Sequence, residues 1–214
     1  TGGAFESIHA EFDESTKQFL WSVTFSNQIT EGFTLAVNGG PNPKGHAGEL
    51  ALLYVDARVS NDVKIAAYAY NGKNSRDSWV DGDGNTAGNQ PADFIGNLGM
   101  SGDILAATVD DLFGKRTISF LIDATDIIGH APLYPDAVDP WTGVGFGEAL
   151  GLWMHPYKGF APTYGQNGRI TALSVRDEGW MDGSDFDTDI KVPTPGTIAL
   201  LGSAGLLGLK RRRK

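Results

Sequence analysis

The segment "KQFLWSVTFS", residues 17–26, repeats large apolar residues at every second position. Phe19, Trp21, Val23 and Phe25 fall on one face of an extended chain, and Ser22 and Thr24 fall on the other. Aromatic and β-branched residues at a period of two predict a half-buried β-strand. The preceding "AFESIHAEF" has the same period, and the short polar link "DEST" joins the two segments. Together they predict a β-hairpin.

Strand-like patterns continue along the rest of the body. They are "GFTLAVN", "ELALLYVDA", "VKIAAYAYN", "DILAATV", "RTISFLID", "ALGLWMH" and "GRITALSVR", separated by turn clusters such as "NGGPNPKG" and "DGDGNTAGNQPAD". We expect "ALLYVDARVSNDVKIAAYAY" to hold two strands joined around "SND", and "DATDIIGHA" to hold one short helical turn. About nine short strands with Gly-rich connections predict an all-β fold, a β-sandwich of jelly-roll or concanavalin-like type.

The chain has 214 residues, enough for one domain with a sizeable core. We expect a β-sandwich over residues 1–181, an acidic linker over residues 182–191 and a separate tail over residues 192–214. No cysteine is present, which excludes disulfides, a thiolate nucleophile and a thiolate metal site. No metal or cofactor is expected, with one calcium candidate described below.

The charge is distributed unevenly. Five of the 17 basic residues stand at the C-terminus, so the remaining 12 face 26 acidic residues, a formal charge of −14. A body this acidic repels phosphates, and we therefore expect no nucleic acid among the partners.

The tail reads "VPTPGTIALLGSAGLLGLKRRRK", from Val192 to Lys214. Its apolar run, Thr197–Leu209, would span roughly 20 Å as a helix, less than the ~30 Å of a bilayer core. The basic residues that follow would remain on the cytoplasmic side of the membrane. They are Lys210, Arg211, Arg212, Arg213 and Lys214. This predicts a short C-terminal hydrophobic helix that holds an exported body at the inner membrane.

Two other interpretations of the tail are open. The run could be a helix packed on the domain and followed by a solvated basic end, but it has no polar face. It could also be a nuclear or heparin-binding basic tail, although such tails need no preceding apolar run.

The three-part pattern of a proline motif, an apolar run and a basic end resembles a PEP-CTERM sorting signal. The motif is Val192, Pro193, Thr194 and Pro195, with Thr194 where the family usually has Glu. The resemblance covers about 23 residues. It implies a protein exported by a Gram-negative bacterium that makes exopolysaccharide, cleaved near the motif by an exosortase-type sorting protease. The protein would be anchored in the inner membrane transiently and then reach the cell surface or the extracellular space.

The body carries no strong catalytic signal. Glycosidases need two carboxyls about 5 to 10 Å apart, and Glu148 has no partner at strand spacing, while Asp123 and Asp126 fall on different strand faces. No nucleophile-elbow motif occurs, and His155 in "LWMHPY" is expected to lie at a strand end rather than to bind a metal. We therefore expect no enzyme. A secreted hydrolase that acts on polysaccharide from a jelly-roll scaffold is the alternative.

Two weak candidate sites lie in loops. Trp79 and Trp141 are the best candidates for exposed rings that stack on sugars. Asp81, Asp83 and Asn85 alternate like the start of a calcium loop, but the sixth and twelfth positions of that loop do not match. A plain Gly/Asp turn is the favoured interpretation of that segment.

The body is also similar to uncharacterised sandwich domains that carry such tails, through "GPNPKG", "LLYVDA" and "PLYPDA". The segments "ISFLIDATDI" and "GLWMHP" resemble strands of concanavalin-like lectins, and this implies a fold only. The expected function is a surface or exopolysaccharide-matrix protein, either structural or weakly carbohydrate-binding.

Overall fold

The computed structural model describes residues 3–38, 50–70, 93–130, 146, 149–178 and 190–191. These residues form thirteen β-strands and two helices of four residues each. The elements are β1 (Phe5–Asp13), β2 (Gln18–Phe25), β3 (Gly32–Asn38), β4 (Leu50–Asp56), β5 (Lys64–Tyr70), β6 (Asp93–Asn97), α1 (Leu98–Ser101), β7 (Ile104–Leu112), β8 (Lys115–Asp123), α2 (Thr125–Ile128), β9 (Ala149–Lys158), β10 (Ala161–Tyr164), β11 (Ile170–Ser174), β12 (Asp177–Glu178) and β13 (Ile190–Lys191).

The strands form two main antiparallel sheets. The smaller sheet has the order β1-β2-β8-β7, and the larger sheet has the order β12-β9-β3-β4-β5-β6, with β13 also paired to β9. A separate hairpin consists of β10 and β11. The predicted all-β class is confirmed, and so is the opening hairpin, in which Phe12 lies opposite Phe19.

The main core lies between the two sheets. Phe19, Trp21, Val23 and Phe25 are fully buried there, on the single face that their alternation predicts. Trp21 meets Phe33 of the larger sheet with ring centroids 6.3 Å apart. Because residues of both sheets share one buried cluster, the architecture is sandwich-like.

A second buried cluster lies on the opposite side of the larger sheet. We call this side the outer face, because it points away from the smaller sheet. The cluster draws on β3, β4, β5 and β9, and Ile170 of the β10–β11 hairpin packs into it. The larger sheet is therefore covered on both faces, whereas only one face of the smaller sheet contributes to a buried apolar cluster among the described residues.

Several local predictions have clear outcomes. The two strands predicted around "SND" are β4 and β5, and the helical turn predicted in "DATDIIGHA" is α2. Strands β6 and β10 were not predicted, because "DFIGN" follows a long turn cluster and "APTY" contains a proline. Ile190 and Lys191, the last two residues of the predicted linker, pair with Leu150 and Ala149 of β9.

The predicted C-terminal helix lies outside the described residues. Within the described part of the chain, no helix has both the length and the apolar character needed to cross a membrane.

Candidate functional site

The outer face of the larger sheet brings aromatic and polar side chains together. Its residues alternate with core residues along each strand, so they line up in rows across the sheet. The central row contains His155, Thr34, Tyr54, Ala66 and Asn97 on five adjacent strands. One neighbouring row contains Trp153, Ala36, Leu52, Tyr68 and Phe94.

The aromatic side chains of this face contact one another. Tyr68 meets Tyr54 edge-on at 5.5 Å between ring centroids, and it meets Phe94 at 5.2 Å. Such offset and edge-to-face pairs are the favoured arrangements of aromatic rings. Small residues at Ala36 and Ala66 leave room for the large rings on adjacent strands.

A buried group of polar side chains, Thr34, His155 and Tyr157, lies on the same face where β3 pairs with β9. The hydroxyls of Thr34 and Tyr157 form a 2.8 Å hydrogen bond, and the His155 ring stands 4.6 Å from the Tyr157 ring. Burial lowers the pKa of His155 to about 4, because the charged imidazolium is poorly solvated there. His155 is therefore neutral at pH 7. It lies within β9 rather than at the strand end.

Asp56, at the end of β4, organises a second polar group. Arg58 donates to its carboxylate from Nε and from a terminal guanidinium nitrogen, each at 2.8 Å, a two-point ion pair. The hydroxyl of Tyr164 donates to the same carboxylate at 3.4 Å, and the Lys64 ammonium stands 5.7 Å from the Tyr164 ring centroid. Burial, followed by the nearby Asp56 charge, raises the pKa of Tyr164.

Besides the Tyr164 hydroxyl, two further hydrogen bonds attach the β10–β11 hairpin to this face. The backbone N–H of Ile170 donates to the Tyr68 hydroxyl at 2.9 Å, and the Asn97 side chain donates to the carbonyl of Gly168 at 3.3 Å. Gly168 has a φ of +78°, and a Cβ there would lie 2.4 Å from the Cβ of Asn97. Only glycine fits this close approach. Burial raises the pKa of the Tyr68 phenol to about 12.

Asp93 lies on the other side of the same sheet. Its carboxylate is 2.8 Å from Nε2 of His130, which follows α2. Asp93 is opposite Ala69, and Asp56 is opposite Lys64, five residues away along β5. That separation is roughly 17 Å at the rise of an antiparallel strand. Since Asp93 and Asp56 also lie on opposite faces, they do not form the closely spaced pair that glycoside hydrolysis uses.

The candidate residues taken from sequence fall outside the described residues. This applies to Trp79 and Trp141, to the loop residues Asp81, Asp83 and Asn85, to the motif Val192, Pro193, Thr194 and Pro195, and to the basic end Lys210–Lys214. In the part of the chain that the structure describes, no three His, Asp or Glu residues come together as metal ligands.

The outer-face residues were missed by the sequence analysis, although a signal was present. "LALLYVD" and "KIAAYAY" are nearly continuous apolar runs rather than alternating ones. Such runs indicate a strand covered on both faces. The polar residues within or next to them, such as Asp56, therefore mark groups that must find partners within the protein.

Comparisons with known proteins add no family assignment. No protein-family model matches the chain, and neither a curated protein nor a solved structure is significantly similar to it.

Proposed function

We propose that this chain is an exported, non-enzymatic surface or matrix protein sorted through its PEP-CTERM-like tail. The tail would hold the body at the inner membrane until an exosortase-type protease cleaves near Pro193 and Pro195. The released body would act at the cell surface or in exopolysaccharide, as a structural or weakly carbohydrate-binding component. The observation that carries the proposal is the three-part tail of proline motif, apolar run and five basic residues.

The position of the tail supports this proposal. The motif begins at Val192, the residue after β13, whose two residues pair with the first two residues of β9. A sorting motif placed directly after β13 can be removed without cutting any strand that the structure describes. The body would then leave the membrane with its paired strands intact.

The body supports a binding or structural role more than hydrolysis. The buried carboxylates of the larger sheet, Asp56 and Asp93, are engaged by Arg58 and His130 and lie on opposite faces. The finer fold assignment, jelly-roll or concanavalin-like, belongs to the same proposal. Its support is the packing of a four-stranded antiparallel sheet against a wider one.

Mass spectrometry of the protein from the surface fraction of its native host tests the sorting step. We expect a C-terminus within or just before residues 192–196. A double Pro193→Ala, Pro195→Ala variant should retain Lys214 and remain in the membrane fraction. An intact Lys214 on the wild-type surface protein would defeat the proposal.

Carbohydrate binding needs a separate test. A glycan array probed with the full chain in mild detergent should show weak binding to neutral polysaccharides. Trp79→Ala and Trp141→Ala variants then test the two loop candidates singly. If the wild-type chain binds no glycan at all, the role is structural only.

A further inference from the structure

The turn between β7 and β8 carries an unusual residue. Phe113 and Gly114 form a two-residue hairpin loop with φ values of +52° and +78°. Positive φ at both positions is the type I′ geometry, which favours Asn, Asp or Gly and disfavours bulky side chains. Phe113 is nevertheless 97% exposed, and Leu112 before it is 63% exposed. Neither side chain gains a buried contact that would explain its presence.

The base of this turn is held firmly by ion pairs. Lys115 pairs with Glu6 at 2.5 Å, and Arg116 pairs with Asp111 through two 2.8 Å hydrogen bonds. Arg116 also donates to the carbonyl of Thr30 at 2.8 Å, which ties the hairpin to the β2–β3 loop. Phe113 is therefore displayed on a fixed support, and little conformational entropy is lost when it makes a contact.

A third apolar side chain lies on that neighbouring loop. Ile29 is 39% exposed, and the side chain of Gln28 donates to the carbonyl of Lys115 at 3.5 Å. We name Ile29, Leu112 and Phe113 the apolar tip. Strained backbone together with exposed apolar side chains indicates a contact surface rather than a folding requirement.

The apolar tip and Lys191, the residue before the tail, lie towards opposite ends of β9. The β2–β3 loop enters β3 at Gly32, which pairs with Tyr157 near the end of β9. Lys191, the last residue before the tail, pairs with Ala149 at the start of β9. A body anchored next to Lys191 would therefore present the apolar tip away from the anchoring membrane.

Size and charge narrow the partner further. Three side chains bury far less than the ~800 Å² per partner that a stable dimer requires. A second copy of this chain is therefore a poor fit. The acidic body, at a formal charge of −14 without the five terminal basic residues, repels anionic polymers. A neutral sugar ring needs only one flat aromatic ring and nearby polar groups. The two ion pairs at the base of the turn, Lys115 with Glu6 and Arg116 with Asp111, are the polar groups nearest to Phe113 in the hairpin.

We propose that the apolar tip is a glycan-stacking site, at which Phe113 lies against the pyranose rings of a neutral polysaccharide. The inference deepens the proposed function, on which it rests, by naming the ligand class and the site. An extended polysaccharide presents many rings to one protruding side chain, so a tip suits it better than it suits a small free sugar. The binding is weak per site.

Affinity electrophoresis of the full chain in mild detergent, through gels containing a linear neutral β-glucan, tests the proposal. The wild type should be retarded, Phe113→Asn should bind roughly tenfold more weakly, and Phe113→Trp should bind at least as well as the wild type. Asn also suits the type I′ turn, so Phe113→Asn should unfold at a higher urea concentration than the wild type. Loss of binding with a gain in stability cannot be attributed to misfolding.

Other outcomes would overturn the proposal in distinct ways. Equal retardation of wild type and Phe113→Asn would leave carbohydrate binding in place and remove the tip as its site. No retardation of the wild type would contradict the carbohydrate-binding role itself.

The chain has no cysteine, so a single Leu112→Cys label can report the tip, with Thr108→Cys as a control on the same strand. A label that responds to zwitterionic vesicles or to protein concentration, but not to the glucan, would assign the tip to lipid or to self-association instead.

Discussion

The two sheets of the sandwich treat their outer faces differently. The larger sheet buries Tyr54, Tyr68 and Trp153 on its outer face and seals part of that face with the β10–β11 hairpin. The face of the smaller sheet that points away from the larger sheet carries hydroxyl side chains where the larger sheet carries aromatic rings. Ser22 bonds to Ser119 at 2.7 Å, and both are only partly buried.

The difference corresponds to the sequence patterns of the strands. Burial alternates strictly along strand β2, and its polar residues lie on the partly buried face. Strands β4 and β5 are nearly all apolar, and they are buried on both sides. The apolar content of a strand therefore indicates whether one or two layers cover it, while the period indicates which side chains share a face.

The largest expected effect lies in the core between the sheets. Trp21→Ala should lower the free energy of unfolding by about 3–5 kcal/mol, because it leaves a cavity where a fully buried ring stood. Trp21→Phe should cost much less, since the indole N–H has no hydrogen-bond partner in the described structure. Urea unfolding of both variants measures this. Equal losses for the two variants would contradict the cavity explanation.

The buried histidine on the outer face of the larger sheet should make stability depend on pH. Its pKa is about 4 in the folded protein against 6.5 in the unfolded chain, so the unfolded chain binds more protons between these values. The contribution of His155 to the free energy of unfolding is fully present above pH 6.5. It falls by on the order of 3 kcal/mol as the pH drops towards 4.

A His155→Gln variant isolates that contribution. The other titrating groups remain in both proteins, so the difference between wild type and variant belongs to His155. Unfolding free energies measured from pH 7 to pH 4 should show a shallower slope for the variant. Parallel slopes would show that His155 does not titrate as a buried group.

The attachment of the hairpin to the outer face should give an intermediate effect. Tyr68→Phe removes the acceptor of the Ile170 N–H and leaves that buried donor unpaired, at a cost of about 1–3 kcal/mol. Tyr164→Phe is the matched control, because Asp56 keeps both Arg58 hydrogen bonds and the expected loss is below about 1 kcal/mol. Hydrogen exchange at Ile170 should accelerate only in Tyr68→Phe. The reverse order of the two variants would contradict the assigned roles.

The smallest effect is expected on the outer face of the smaller sheet. A double Ser22→Ala, Ser119→Ala variant removes both hydroxyls of a partly solvated pair, so no buried group loses its partner. The change in unfolding free energy should stay within about 1 kcal/mol. A loss as large as that of Tyr68→Phe would mean that this face is covered in the same way as its counterpart.

Much of the fold was accessible from sequence, and the reasons are local. Phe19, Trp21, Val23 and Phe25 recur at a period of two, and the link from Asp13 to Thr16 is too short for anything but a hairpin. Strand β6 was hidden because it follows a Gly- and Asp-rich cluster, and its pairing with β5 depends on a register shift near Ala67. Pairing between distant segments of the chain is set by the whole sandwich, which no local pattern encodes.

The candidate sites were less accessible for a related reason. Asp56 and Tyr164 are 108 residues apart in the chain, and only the closing hairpin brings them together. Phe113 was passed over because "LFG" is an unfavourable sequence for a type I′ turn. In both cases the informative residue is one that its local sequence does not favour at that position. Its role can be inferred only from residues that are distant in the chain and close in the fold.

The central claim is that the sandwich is independent of the tail that follows it. Deletion of residues 192–214 keeps every described strand, including β13, and tests this most directly. The truncated chain should remain soluble without detergent and unfold at the same urea concentration as the full chain. A lower unfolding midpoint, or loss of the folded state, would show that the tail packs into the body, and the assignment as a sorting signal would fail.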